Sequence, residues 1–199
     1  MNVMNNDSMK DSIKEKILLV AERLFASKGY DAVGVQEIVV ESGVTKPTLY
    51  YYFECKQGVL EAIVEQKGTR LIQTTREISA RYTGDFFHVV SDLIETQIQF
   101  AEENPDFFRI HCALLNAPEN SIPHEVYKHT AKALYEIIFN LFQKATSVFG
   151  NMKGKEELYS TLFFNNMTTL AMLYMQKKYK IDKDTLYQIT HSILYGFAD

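Results

Sequence analysis

Apolar residues recur at spacings of three and four along nearly the whole chain, and no stretch alternates with the two-residue period of a half-buried strand. That regularity restricts the fold to helices packed on helices. In the first segment Ile13, Ile17, Leu18, Ala21, Leu24 and Phe25 fall on one helical face. Ser12 followed by Glu15 has the form of a capping box, and Gly29 supplies the stop after Lys28. Residues 1–10 are polar and are expected to form a disordered tail. With 46% hydrophobic residues over 199 positions the chain can bury a substantial core, whereas four prolines and nine glycines are too few for many short strands and turns.

The same periodicity organises the rest. Two short apolar pieces, residues 35–40 and 45–52, are split by Ser42-Gly43-Val44. A longer helix is expected from Lys56 to about Arg81, with Gly84-Asp85 breaking and recapping the chain. Further helices are expected over 86–103, 106–116, 126–149, 156–178 and 182–197, with Asn104 capping and Pro105 opening the second of these. The expected architecture is all-α. Its domains are a helix-turn-helix unit over 11–56 and a larger ligand-binding and dimerisation bundle over 57–199.

Composition narrows the function. The net charge is −4, so any contact with nucleic acid must come from a local patch. Residues 1–10 lack the apolar core of a signal peptide, and no uncharged apolar run approaches the roughly 20 residues of a membrane span. Cys55 and Cys112 make no disulfide framework and fit a reducing cytoplasm, which is the expected location. No cofactor or metal is expected. His124-Glu125 and His129 resemble a zinc-protease motif, but a spacing of five puts the two rings on different helix faces. No phosphate loop, dinucleotide fingerprint or nucleophile elbow is present, so catalysis is not expected.

A short helix, a glycine turn and a second short helix form a helix-turn-helix, which lays its second helix in the DNA major groove. Gly43 sits where that turn needs positive φ. Thr45 would cap the recognition helix, Pro47 suits its first turn, and Ile38, Val44 and Leu49 would set the angle between the helices. A helical adaptor that binds protein instead of DNA is the alternative reading of this geometry.

The wording of the segment adds to its geometry. Phe25-Ala26-Ser27-Lys28-Gly29-Tyr30, then Val35-Gln36-Glu37-Ile38, then Ser42-Gly43-Val44-Thr45-Lys46-Pro47-Thr48-Leu49-Tyr50-Tyr51-Tyr52-Phe53 and Lys56 strongly resemble the TetR family of transcriptional regulators. The match runs from about Ser12 to Ile63. The resemblance implies that Thr45, Lys46, Pro47 and Thr48 meet base edges and nearby phosphates, and that Tyr50 and Tyr51 offer hydroxyls to phosphates. It places Lys56 on a phosphate at the start of the fourth helix and Gln36 within reach of a base. Two positions depart from the family: Gly34 stands where Ser or Thr usually caps the brace helix, and Cys55 where Ser, Asn or Gly caps the fourth. Residues 1–56 hold seven basic and eight acidic side chains, so binding rests on a few placed cations and should weaken steeply with salt.

For the larger half the resemblance implies a homodimer formed by the last two helices, through Leu158, Leu162, Leu186, Ile189, Ile193 and Phe197 among others. It also implies a pocket for a small, largely apolar effector, to which Phe86, Phe107, Phe108, His111, Cys112, Phe163, Asn166 and Met167 are assigned. The expected function is a repressor bound to a palindromic double-stranded operator and released by that effector.

Overall fold

The computed structural model describes residues 3–178 and 180–196, and every regular element among them is helical. In order these are α1 (Val3–Lys28), α2 (Val35–Ser42), α3 (Lys46–Phe53), α4 (Lys56–Ile63), a π-helical turn (Val64–Gly68), α5 (Thr69–Ser79), α6 (Phe86–Glu103), α7 (Pro105–Leu115), α8 (Ile122–Ala145), a short 3-10 turn (Gly150–Met152), α9 (Glu156–Met175) and α10 (Lys183–Tyr195). The all-α expectation holds. Among the described residues no helix is long and apolar enough to cross a membrane.

The chain divides into two compact units. The first runs to Gly68 and adds Arg109–Lys128; the second holds Thr69–Phe108 and the chain from His129 onward. The division passes through α7 and α8. Helix α4 belongs to the first unit because Val59, Leu60 and Ile63, all essentially inaccessible, pack it there against α1 and α3.

The core of the first unit is built from the predicted face of α1. Ile17, Leu18, Ala21, Leu24 and Phe25 are buried with Ile38 and Val39 of α2 and with Leu49 and Phe53 of α3. Gly29 ends α1 at φ +82°, its N–H bonding the carbonyl of Phe25 at 2.9 Å. The start of α1 differs from expectation. Val3 opens the helix, so Ser12 lies inside it and caps nothing. No glycine or proline occurs between Val3 and Ser12, and a helix once nucleated propagates through such a run. Of the expected tail, Met1 and Asn2 lie outside the described residues and Val3–Lys10 are helical.

The single helix expected over 56–81 is interrupted. At Val64–Gly68 the chain takes a wider π turn, with Val64 and Gly68 buried. Lys67 from this turn donates to Glu22 of α1 at 2.6 Å, an ion pair largely withdrawn from water. Mid-helix π turns are uncommon, and this one lies at the boundary of the first unit.

In the second unit α6 packs against α5, α9 and α10. Phe86 meets Phe142 edge-on at 5.0 Å, and Phe142 meets Phe163 at 5.5 Å, an aromatic arrangement that fills the interior. Asp85 caps α6 by accepting from the His88 N–H at 2.9 Å, as Gly84-Asp85 led one to expect. Asp182 caps α10 through the Thr185 N–H at 3.0 Å. Phe197, expected to close the last helix, lies outside the described residues.

Candidate nucleic-acid interface

The turn between α2 and α3 is built as its residues require. Gly43 takes φ +64° and caps the end of α2, a conformation that penalises any side chain with a Cβ. Two residues on, Thr45 is extended and caps α3: its Oγ1 accepts from the Thr48 N–H at 3.3 Å and lies 2.8 Å from the Thr48 Oγ1. Pro47 falls in the first turn of α3, where a missing N–H costs nothing. Ile38 and Leu49 are inaccessible and hold α2 and α3 to the core, with Val44 half-buried between them.

With Leu49 and Phe53 turned inward, the opposite face of α3 is turned to solvent. Thr45, Lys46 and Pro47 are exposed, Thr48 is half-buried, and Tyr50 and Tyr51 expose 44% and 70% of their surface. Two phenols left this open put hydroxyl donors and ring faces at the surface of α3. Tyr51 packs edge-on against the half-buried Tyr52 at 5.0 Å, which fixes the direction of its ring. Gln36 is exposed near the start of α2.

The charges around this face are arranged unevenly. The two acids of α2 are neutralised by α1: Lys28 donates to Glu37 and Arg23 to Glu41. Glu37 in turn raises the Lys28 pKa, chiefly through their hydrogen bond. Lys46 stands at the start of α3 with no acidic partner among the described residues. Lys16 adds a cation that sequence reasoning missed: its Nζ lies 3.4 Å from where a Cβ on Gly43 would be, beside the turn. Its one sequence signal is its place seven residues, two helical turns, before Arg23, which pairs with Glu41 of α2. The local field is thus more favourable to phosphate than the residue count suggested.

Lys56 opens α4 as expected, with its side chain turned toward the chain between α1 and α2. Its ammonium donates to the carbonyls of Tyr30 at 2.9 Å and Val33 at 3.0 Å, and lies 4.1 Å from the centroid of the Tyr30 ring. Two of its three protons are therefore spent inside the protein. Burial pushes the Tyr30 phenol up to about 12, so the ring beneath the cation stays neutral. Gly34 and Cys55, the two departures, give α2 and α4 no side-chain cap.

The residues assigned to an effector fall into three groups. Phe86, Phe107, Phe108, Phe163 and Met167 are buried in the second unit. His111 and Cys112 belong to the first, where His111 Nδ1 is hydrogen-bonded to the Tyr127 hydroxyl. Burial lowers the His111 pKa to about 4 and raises the Cys112 thiol to about 11. Asn166 is exposed, because Phe163, Phe164, Met167 and Ala171 define the buried stripe of α9 and position 166 falls off it. Among the described residues no group of three His, Cys, Asp or Glu side chains could hold a metal ion.

Comparison with known proteins agrees with this geometry. A family model described as bacterial regulatory proteins, tetR family, matches residues 17–63, from the middle of α1 to the end of α4. The HTH-type transcriptional activator FasR of Mycolicibacterium smegmatis is 23% identical over 98% of this chain and 87% of its own length. The regulator YvdT of Bacillus subtilis is 33% identical, over 46% of this chain and 47% of its own. The fold is shared with the fatty acid degradation regulator FadR from Bacillus halodurans (TM-score 0.73, 19% identity, 94% of this chain and 96% of that one). It is shared too with FadR from Bacillus subtilis, solved in complex with stearoyl-CoA (TM-score 0.69, 18% identity, 92% and 98%). With its helix-turn-helix capped, packed and exposed as described, the segment 17–63 of this chain is similar to the DNA-binding segment of the tetR family of bacterial regulatory proteins.

Proposed function

We propose that the protein is a homodimeric repressor that binds a palindromic operator and is released by a largely apolar effector carrying a long acyl chain. The observation that carries the DNA reading is the outer face of α3. Thr45, Lys46, Pro47, Thr48, Tyr50 and Tyr51 are presented on a helix whose inner face is anchored by Leu49 and Phe53. Lys46 supplies charge, the two phenols supply phosphate donors, and Gln36 reaches from α2. One recognition helix reads too few base pairs for useful specificity, so two copies related by a two-fold axis are required. Leu158 and Leu162 of α9 and Tyr187 and Tyr195 of α10 are large, exposed apolar residues in keeping with such a pairing.

The effector class draws on two observations. The interior of the second unit is aromatic and aliphatic, through Phe86, Phe107, Phe108, Phe163 and Met167. The Bacillus subtilis FadR that shares the fold was solved with stearoyl-CoA. Because these side chains are already packed, an acyl chain would enter a less populated conformer and shift the balance toward it. That preference alone would lower DNA affinity.

Selection from random duplex DNA, followed by titration of the selected duplex with acyl-CoA thioesters of increasing chain length, tests each part. Enrichment of a palindrome, and its loss from the protein as acyl-CoA is added, is expected. Enrichment without palindromy would remove the two-fold reading. Tighter binding on adding acyl-CoA would reverse the assigned sign, and the FasR relative is named an activator.

A further inference from the structure

Lys56 stands at the first position of α4, yet its charge is turned into the protein. Two ammonium protons are taken by the Tyr30 and Val33 carbonyls at 2.9 and 3.0 Å, and the Tyr30 ring lies beneath at 4.1 Å. Those carbonyls belong to the turn that carries the chain from α1 into α2. Val33 is 1% exposed, and the Tyr30 ring is packed on Phe25 at 5.3 Å. The next residue is Gly34, which begins α2 with no side-chain cap. The start of the brace helix is thus held from outside itself, by a cation on α4.

We infer that Lys56 is a positioning residue for DNA reading, clamping the α1–α2 turn so that α2, and α3 packed on it, keep the angle the major groove needs; it does not neutralise a phosphate. Moving the ammonium to a phosphate would take the charged donor from the buried Val33 carbonyl and uncover the Tyr30 face. Both losses oppose the move. The clamp restrains the turn just before Gly34, where no side chain caps α2. This inference rests on the DNA-binding reading proposed above.

The experiment uses the full chain, its selected duplex and two variants, Lys56→Met and Tyr30→Leu, with dissociation constants measured across a salt series. Loss of the clamp in Lys56→Met should weaken binding by about tenfold or more, the size expected for lost charge-assisted hydrogen bonds. The slope of log K against log salt should stay that of the unmodified protein, and amides 35–38 should exchange faster with solvent. A slope smaller by about 0.9 is the signature of one lost phosphate contact and overturns the inference. Unchanged affinity, or unchanged exchange at 35–38, overturns it as well. Tyr30→Leu keeps the lysine and decides the matter if Lys56→Met loses its helical signal: weaker binding at constant slope supports the clamp, and equal or tighter binding refutes it. Failure of the unmodified protein to select any duplex would instead sink the DNA-binding reading, and this inference with it.

Discussion

At the scale of single residues, two positions carry consequences that composition hides. Gly58 reads as an ordinary weak point in α4, but a Cβ there would lie 2.1 Å from the Phe53 carbonyl oxygen. The obstacle is backbone and cannot rotate away. Gly58→Ala should therefore destabilise the first unit by about 1–3 kcal/mol or displace the end of α3, against the gain usual for Gly→Ala in a helix. Urea unfolding of the two proteins measures it. His111 is the second. Burial holds its pKa at about 4, so the folded imidazole is neutral while the unfolded one takes up a proton from its ordinary 6.5 downward. A lowered histidine pKa means stability that is complete above about pH 6.5 and lost as the pH falls toward 4. The loss is on the order of 3 kcal/mol. In His111→Gln, which can still bond the Tyr127 hydroxyl, urea midpoints taken from pH 7 to 4.5 should fall less steeply than in the unmodified chain.

At the scale of elements, the cap of α3 and the π turn are where local structure meets function. Thr45 serves the helix through the Thr48 N–H and is exposed on the proposed DNA face. Thr45→Ala should cost about 1 kcal/mol of stability and weaken operator binding as well. Thr45→Ser, which keeps the cap, should restore the first; thermal melts and gel-shift titrations separate the two effects. The π turn is held by the Glu22–Lys67 pair at 2.6 Å, with Glu22 only 6% exposed. Lys67→Met leaves a buried carboxylate without its cation and should cost about 2 kcal/mol. Glu22→Gln/Lys67→Met together should recover part of that loss in the same unfolding assay, because no unpaired charge remains.

At the scale of the whole molecule, the proposed assembly and its DNA reading stand together. Leu158 and Leu162 lie one turn apart on α9, exposed by 56% and 52%. If that face pairs two copies, Leu158→Glu/Leu162→Glu buries two carboxylates at the contact. Sedimentation should then give a monomer that keeps its helical content and loses specific operator binding. An unaltered mass would place the pairing elsewhere.

The all-helical class, the order of the elements, the αL glycine at 43 and the cap at Thr45 were all legible in the chain, because each depends on residues within four positions of one another. Helical period, glycine φ and N-cap chemistry are local, and local rules survive folding. The true start of α1, the π turn at Val64–Gly68 and the place of Gly58 were not legible. The π turn answers to Glu22, 45 residues away, Gly58 to the Phe53 carbonyl across the turn between α3 and α4, and α1 to the absence of a breaker where a cap motif suggested one. Lys56 shows the difference most plainly. Its position in the motif implied a phosphate, and only the folded chain brings it to carbonyls 23 and 26 residues away. A sequence determines which side chain can donate; the tertiary structure decides which acceptor lies within 3 Å of it.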